Sequence, residues 1–230
     1  MKIRRITLTS IILSFVAGYA DTSTFVGADK LFSAHVTGNF VVFAYDIVTN
    51  QMSSSWIKLI SFPVFIVSVI FSTLLIDDNN IYKKGANSLM IIESFLLIIA
   101  GSMTYFYRYE NLIYILKVII PMLVVFALGL QNAYGRFSQK EVLAPTTVMT
   151  GNITQLFIDM TNYLKLNKLH RHEIRLRIIN GFYVILPFLM GCICGGLITR
   201  SIGLSSTIFA GILVLVASTN KKAGQNPADS

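Results

Sequence analysis

Charge is scarce in this sequence. Only 13% of its 230 residues are Asp, Glu, Lys or Arg, about half the share a soluble domain carries. So few charges cannot cover a globular surface, which excludes a disordered chain, a coiled coil and a water-soluble enzyme of ordinary composition. Cysteine is scarce too. Cys192 and Cys194 are the two present, one residue apart, a spacing that suits neither a disulfide framework nor a zinc site. No nucleotide loop, nucleophile elbow or pair of catalytic carboxylates appears, so the sequence points to no enzyme and no cofactor. The string His170-Arg171-His172-Glu173 lacks the second histidine four residues after the first, and reads as a solvated basic loop rather than a metal site.

What is abundant is apolar. Hydrophobic residues make up 54% of the chain, with a mean hydropathy of +0.66. A membrane span needs about 20 mainly apolar residues, and six runs meet or approach this: 6–26, 57–76, 87–107, 112–130, 178–198 and 202–217. In lipid such runs must be helices, because backbone groups have no water to bond. Pro63, Pro121 and Pro187 fall inside spans, where neighbouring helices tolerate a kink. Lys58 and Lys117 lie near helix ends, from which their stems can reach the headgroups. The start of the chain has the grammar of a signal peptide; the expectation is that residues 1–20 are retained as a first span.

The net charge of +8 comes from residues scattered over loops, not from the basic, aromatic-interleaved stripe of a nucleic-acid surface. Lys2, Arg4 and Arg5 precede the first run; Lys165, Lys168, Arg171, Arg175 and Arg177 precede the fifth; Lys221 and Lys222 follow the last. Positive charge marks the cytoplasmic side, so both termini and the 165–177 segment are expected inside. Residues 219–230 read as a disordered polar tail.

The chain repeats itself. Thr37-Gly38-Asn39 recurs as Thr150-Gly151-Asn152, 113 residues later, and in both copies an aspartate follows the asparagine by seven positions, Asp46 and Asp159. Upstream, Gly18-Tyr19-Ala20-Asp21 ends the first run and Gly129-Leu130-Gln131-Asn132 ends the fourth. Each half therefore reads as run, short motif helix, run, run. The motif helices, 40–48 and 153–161, are too short to cross alone. As re-entrant half-helices they give six crossings and inverted halves; completed by extended chain they give eight crossings and parallel halves.

Half-helix starts in transporters commonly hold substrate near the midplane. On that reading Thr37, Gly38, Asn39, Thr150, Gly151, Asn152, Gln131 and Asn132 bind the solute, and Asp21, Asp46 and Asp159 are coupling candidates. Loss of either motif asparagine would then impair transport and leave folding intact; if the motif only caps a helix, the same change costs about 1 kcal/mol of local stability. Glu93 reads as a paired structural carboxylate, with Lys58, Lys117 or a polar neighbour as partner, and His35 as a loop histidine. Gly191 and Gly195 make a small-residue face suited to an internal helix contact, which leaves a homodimer open.

The stretches Gly18-Tyr19-Ala20-Asp21, His35-Val36-Thr37-Gly38-Asn39, Gly129-Leu130-Gln131-Asn132 and Met149-Thr150-Gly151-Asn152 resemble the YoaK family, across roughly residues 6–217. The resemblance implies a bacterial multi-pass inner-membrane protein without an established substrate. The expectation is an all-α integral membrane protein of two duplicated halves, each with three spans plus a short motif half-helix. It forms one transmembrane domain over 1–218, with halves at 1–110 and 111–218. Its expected function is a small secondary transporter for a polar or anionic solute. The alternative is a structural or regulatory membrane protein that binds a partner through its basic loop.

Overall fold

The computed structural model describes residues 2–50, 55–76, 82–107, 114–137, 143–165 and 171–222. They fold into helices α1 (Lys2–Gly27), α2 (Gly38–Val48), α3 (Trp56–Leu75), α4 (Tyr82–Tyr107), α5 (Tyr114–Phe137), α6 (Met149–Lys165), α7 (Arg171–Ile202) and α8 (Thr207–Lys222), with a short 3-10 turn, Gly203–Ser206, before α8. No strand occurs among the described residues. Where they are described, the expected runs are helical, the last with a 3-10 turn near its start, and most helices extend past the apolar stretch: α5 continues through Gln131 and Asn132 to Phe137, and α7 begins seven residues before the run. Arg171, His172, Arg175 and Arg177 therefore stand on the first turns of α7 rather than in a loop. Lys168, His170 and the chain after Lys222 lie outside the described residues.

The outside is apolar and much of the inside is polar. Leu59, Phe62, Ile66, Ile70 and Leu74 of α3 are exposed, as are Phe182, Leu186, Leu189, Ile193 and Leu197 of α7. Patches of that size demand a lipid partner or aggregate. Asp21, Asn39, Lys58, Glu93 and Gln131 are buried. Among the described residues, four segments are long and apolar enough to cross a membrane: Trp56–Leu75, Asn87–Phe106, Tyr114–Phe137 and Arg171–Thr219. The last has 49 residues, about 73 Å of helix against roughly 30 Å of hydrocarbon, and it is broken at Gly203, whose φ of +66° is a left-handed value that favours glycine. α1, expected as a span, is not among the four. Its serines, threonines and Asp21 lower its hydropathy, and protein rather than lipid surrounds most of them.

Four helices close a ring in which α1 packs on α5, α5 on α4, α4 on α8 and α8 on α1. α7 covers α1 from outside, and α3 covers α5. The α1–α7 seam is the tightest. A Cβ on Gly18 would overlap the Phe188 carbonyl, one on Gly191 that of Phe15, and one on Gly195 that of Tyr19. The small-residue face expected on α7 is thus an internal contact. Contacts advance together along these two helices, so α1 and α7 run parallel. α3 and α5 are also parallel: the Trp56 indole donates to the Tyr114 hydroxyl at 3.0 Å, and the Ser68 hydroxyl to the Phe126 carbonyl at 2.7 Å. α4 and α8 are antiparallel, with the Thr207 hydroxyl on the Leu97 carbonyl and Gly211 against Ser94 and Ile98.

Candidate functional site

The 28–37 connection between α1 and α2 does not stay at the surface. Asp29 and Lys30 take left-handed φ values of 50° and 61°, a costly conformation outside glycine, and turn the chain back along α1. Asp21, buried six residues before the end of α1, holds it there. Its Oδ1 accepts from the backbone N–H groups of Ser33 (2.8 Å), Ala34 (2.7 Å) and His35 (3.3 Å), and the His35 Nδ1 lies 2.7 Å from Oδ2. The hydrogen bond to Asp21 outweighs burial and raises the pKa of His35 above the ordinary histidine value. His35 is part of this clamp rather than a simple loop histidine.

α2 starts at the foot of that descent. Asn39, fully buried, bonds both backbone groups of Phe32: its Oδ1 accepts the Phe32 N–H and its Nδ2 donates to the Phe32 carbonyl, each at 2.8 Å. The second amide hydrogen goes to the Ser61 hydroxyl at 2.7 Å. Both donors of the amide are therefore spent inside the protein. Gly38 is needed for closeness, because a Cβ there would stand 3.0 Å from the Phe32 ring. Thr37 occupies the N-cap position and makes no side-chain cap bond. One helical face later, Asp46 meets Lys58 at 2.7 Å and accepts from the Ser55 hydroxyl at 3.0 Å. Lys58 does not reach for headgroups; only 2% exposed, it is the partner of the first motif aspartate. Around it, Gly27, Asp29, Lys58, Tyr114, Lys117 and Pro121 line a cavity of about 220 Å³.

The second motif is built at the other end of the bundle. Gln131, six residues before the end of α5, donates to the Leu13 carbonyl of α1 and to the Thr146 hydroxyl, both at 2.8 Å. The Leu143 N–H donates to Ser10 at 2.9 Å. Asn152 donates to the Pro145 carbonyl at 2.7 Å, again seven residues back. Proline has no N–H, so the second bond made to Phe32 has no equivalent here. Asp159 lies 3.0 Å from Arg177, whose side chain is 57% exposed. Thr150 and Gly151 are exposed, and Asn132 is half-buried. Each motif helix runs back antiparallel to the helix after it, α2 on α3 and α6 on α7.

The family model described as "Protein of unknown function (DUF1275)" matches residues 9–219. The chain belongs to the DUF1275 family. It is 24% identical over 184 residues to the UPF0700 transmembrane protein YoaK of Bacillus subtilis (strain 168), a match that covers 79% of each chain. No solved structure matches.

In this DUF1275 protein the motif residues fall into two separate networks. Asn39 belongs with Phe32 and Ser61, Asn152 with Pro145 and Met149. The residues missed from sequence are their partners: Ser33, Lys58 and Ser61 in the first network, Leu13 and Thr146 in the second. One signal was present, since Ser33 and Thr146 are hydroxyl residues at the same 113-residue offset as the motif. Gln131, not Asn132, takes the clamping place of Asp21. Glu93 is the clearest correction. It has neither lysine as partner; both its carboxylate oxygens are buried without a hydrogen bond.

These bonds rank the two asparagines. Asn39→Ala orphans the N–H and C=O of Phe32, and an unsatisfied buried group costs about 1–3 kcal/mol. Asn152→Ala gives up one bond to a carbonyl. Thermal unfolding in nanodiscs should therefore show the Asn39 variant melting well below the Asn152 variant, and equal melting points would contradict this clamp.

Proposed function

We propose that this protein is a secondary transporter for a small polar or anionic solute, built from two inverted halves of three crossings and one re-entrant half-helix each. The observation that carries the reading is the pair of clamped descents. The lead-in loop of α2 is tied to Asp21 of α1, and that of α6 is tied through Thr146 to Gln131, which donates to Leu13 of α1; Asp21 and Leu13 lie eight residues or about 12 Å apart along the helix axis. Irregular backbone at membrane depth is tolerated where protein buries it or where it lines a wet cavity, and half-helix starts of this kind commonly frame transporter sites.

The packing supports the same halves. Exchanging α1–α4 for α5–α8 turns each helix pairing into another that is present: α1–α7 becomes α5–α3, α4–α5 becomes α8–α1, and α2–α3 becomes α6–α7. With the amide of Asn39 spent on the chain, the solute's polar contacts fall to Gln131, whose buried Oε1 has no partner, and to Asn132, Thr150 and Gly151. Basic residues at 2–5, 165–177 and 221–222 favour cytoplasmic termini in a bacterial inner membrane.

Purified protein in proteoliposomes, offered a panel of radiolabelled amino acids, small carboxylic acids and inorganic anions under an imposed pH gradient, tests this directly. Uptake above protein-free vesicles, reduced at least tenfold by Gln131→Ala, is expected. A folded protein that moves none of them, but retains a bound partner through purification, supports the regulatory reading instead.

A further inference from the structure

Among the described residues, Glu93 is the one buried carboxylate with both oxygens unbonded and no ion-pair partner; the Oδ1 of Asp159 faces Arg177 at 3.0 Å. Asp21 is filled by three N–H groups and His35, and Asp46 by Lys58 and Ser55. Glu93, 1% exposed, sits in the interior of the Asn87–Phe106 span. Nothing ionisable is supplied to balance it by the elements packed on α4. Between Thr207 and Thr219 α8 carries no ionisable residue, and neither does the 203–206 turn; α5 places Lys117 toward one end, and Tyr134 and Arg136 toward the other. On α4 itself the charged residues, Lys83 and Lys84, precede the span.

The level of Glu93 in the bundle is fixed by α8. Leu97, one turn beyond Glu93, meets Thr207, and the neighbouring Ser206 carbonyl accepts from the Tyr19 hydroxyl of α1 at 3.1 Å. α4 runs parallel to α1, because α8 is antiparallel to both. Glu93 therefore stands near or below the Tyr19 level, within the stretch of α1 bounded by the two loop clamps at Asp21 and Leu13. Other unpartnered oxygens come from the same ring of helices: Ser14 of α1, Ser94 and Asn87 of α4, and Gln131 of α5. The amide oxygens of Asn87 and Gln131 only accept, and neither serine hydroxyl is bonded to Glu93; a buried carboxylate with no cation and no donor bonded to it is the least tenable arrangement. A carboxylic acid there has a proton to donate.

We infer that Glu93 is a proton-binding site at the centre of the bundle, taking up one proton as a carboxylic acid and releasing it when the bundle admits water. This rests on the transport reading for its role as the coupling group, and not for the protonation itself. The step is balanced as carboxylate plus proton to acid, with no other reactant.

Two measurements on the full chain in membranes separate the parts. In nanodiscs, the infrared carbonyl band of a protonated carboxylic acid should be present in the wild type at neutral pH, lost in Glu93→Gln, and titrate away reversibly at alkaline pH. Absence of a Glu93-dependent band, or a band that never titrates, overturns the site. In proteoliposomes, Glu93→Gln should still exchange labelled solute across the membrane but lose at least tenfold of pH-gradient-driven accumulation. Undiminished accumulation overturns the coupling role. If the wild type moves no solute while the band titrates, the transport reading fails and the proton site stands.

Discussion

Gly191→Leu should leave little folded protein in the membrane. Adding side-chain volume to an adaptable core costs about 1–3 kcal/mol, sometimes more. Here the first added atom meets the carbonyl of Phe15 and the backbone of Tyr19, and a backbone group has no rotamer through which to withdraw. α7 must then lift off α1, the helix that also anchors both loop clamps. We expect a loss at or above about 3 kcal/mol, read as a collapse of the monodisperse peak on size exclusion and a large fall in melting temperature. Gly151→Ala is the control. A Cβ there meets nothing nearer than Val148 at 3.6 Å, and removing an exposed helical glycine is neutral or a gain of up to about 1 kcal/mol.

Lys58→Met carries the second large effect. The ammonium is buried against an equally buried Asp46, and removing one partner strands a charge in the interior at a cost of about 3–5 kcal/mol. The double change Asp46→Leu with Lys58→Met should recover most of that loss, since a buried pair replaced by apolar groups of similar volume is often neutral. Arg177→Met, at the equivalent pair of the second motif, should cost less, because that guanidinium is largely solvated. Equal losses for the two single variants would show that burial does not distinguish the pairs.

These pairs also mark where the sequence could be read and where it could not. The positions of the helices were legible, because lipid leaves only one way to satisfy a backbone. Helix ends were not: α5 and α7 continue through polar residues that hydropathy treats as loop. Lys58 was read as reaching for headgroups because a lysine near a helix end usually does; its partner lies on the preceding half-helix, and that contact has no local signature. Asn39 was expected to face a solute. Its amide instead holds Phe32, seven residues earlier, and such a clamp becomes visible only once the chain is known to double back. Glu93 was expected to have a lysine or a polar neighbour as partner, yet Lys58 is committed to Asp46 and neither Glu93 oxygen is bonded.

On the transport reading, the two motif half-helices enter the bundle from opposite faces. Val48 and Leu164 are 81% and 80% exposed and lie at the ends of α2 and α6 where each returns to the surface. With Cys192 and Cys194 replaced by serine, single Val48→Cys and Leu164→Cys proteins can be labelled in intact cells with a membrane-impermeant maleimide, before and after permeabilisation. One of the two should react in intact cells and the other only once the membrane is opened. Labelling of both from the same face would contradict it.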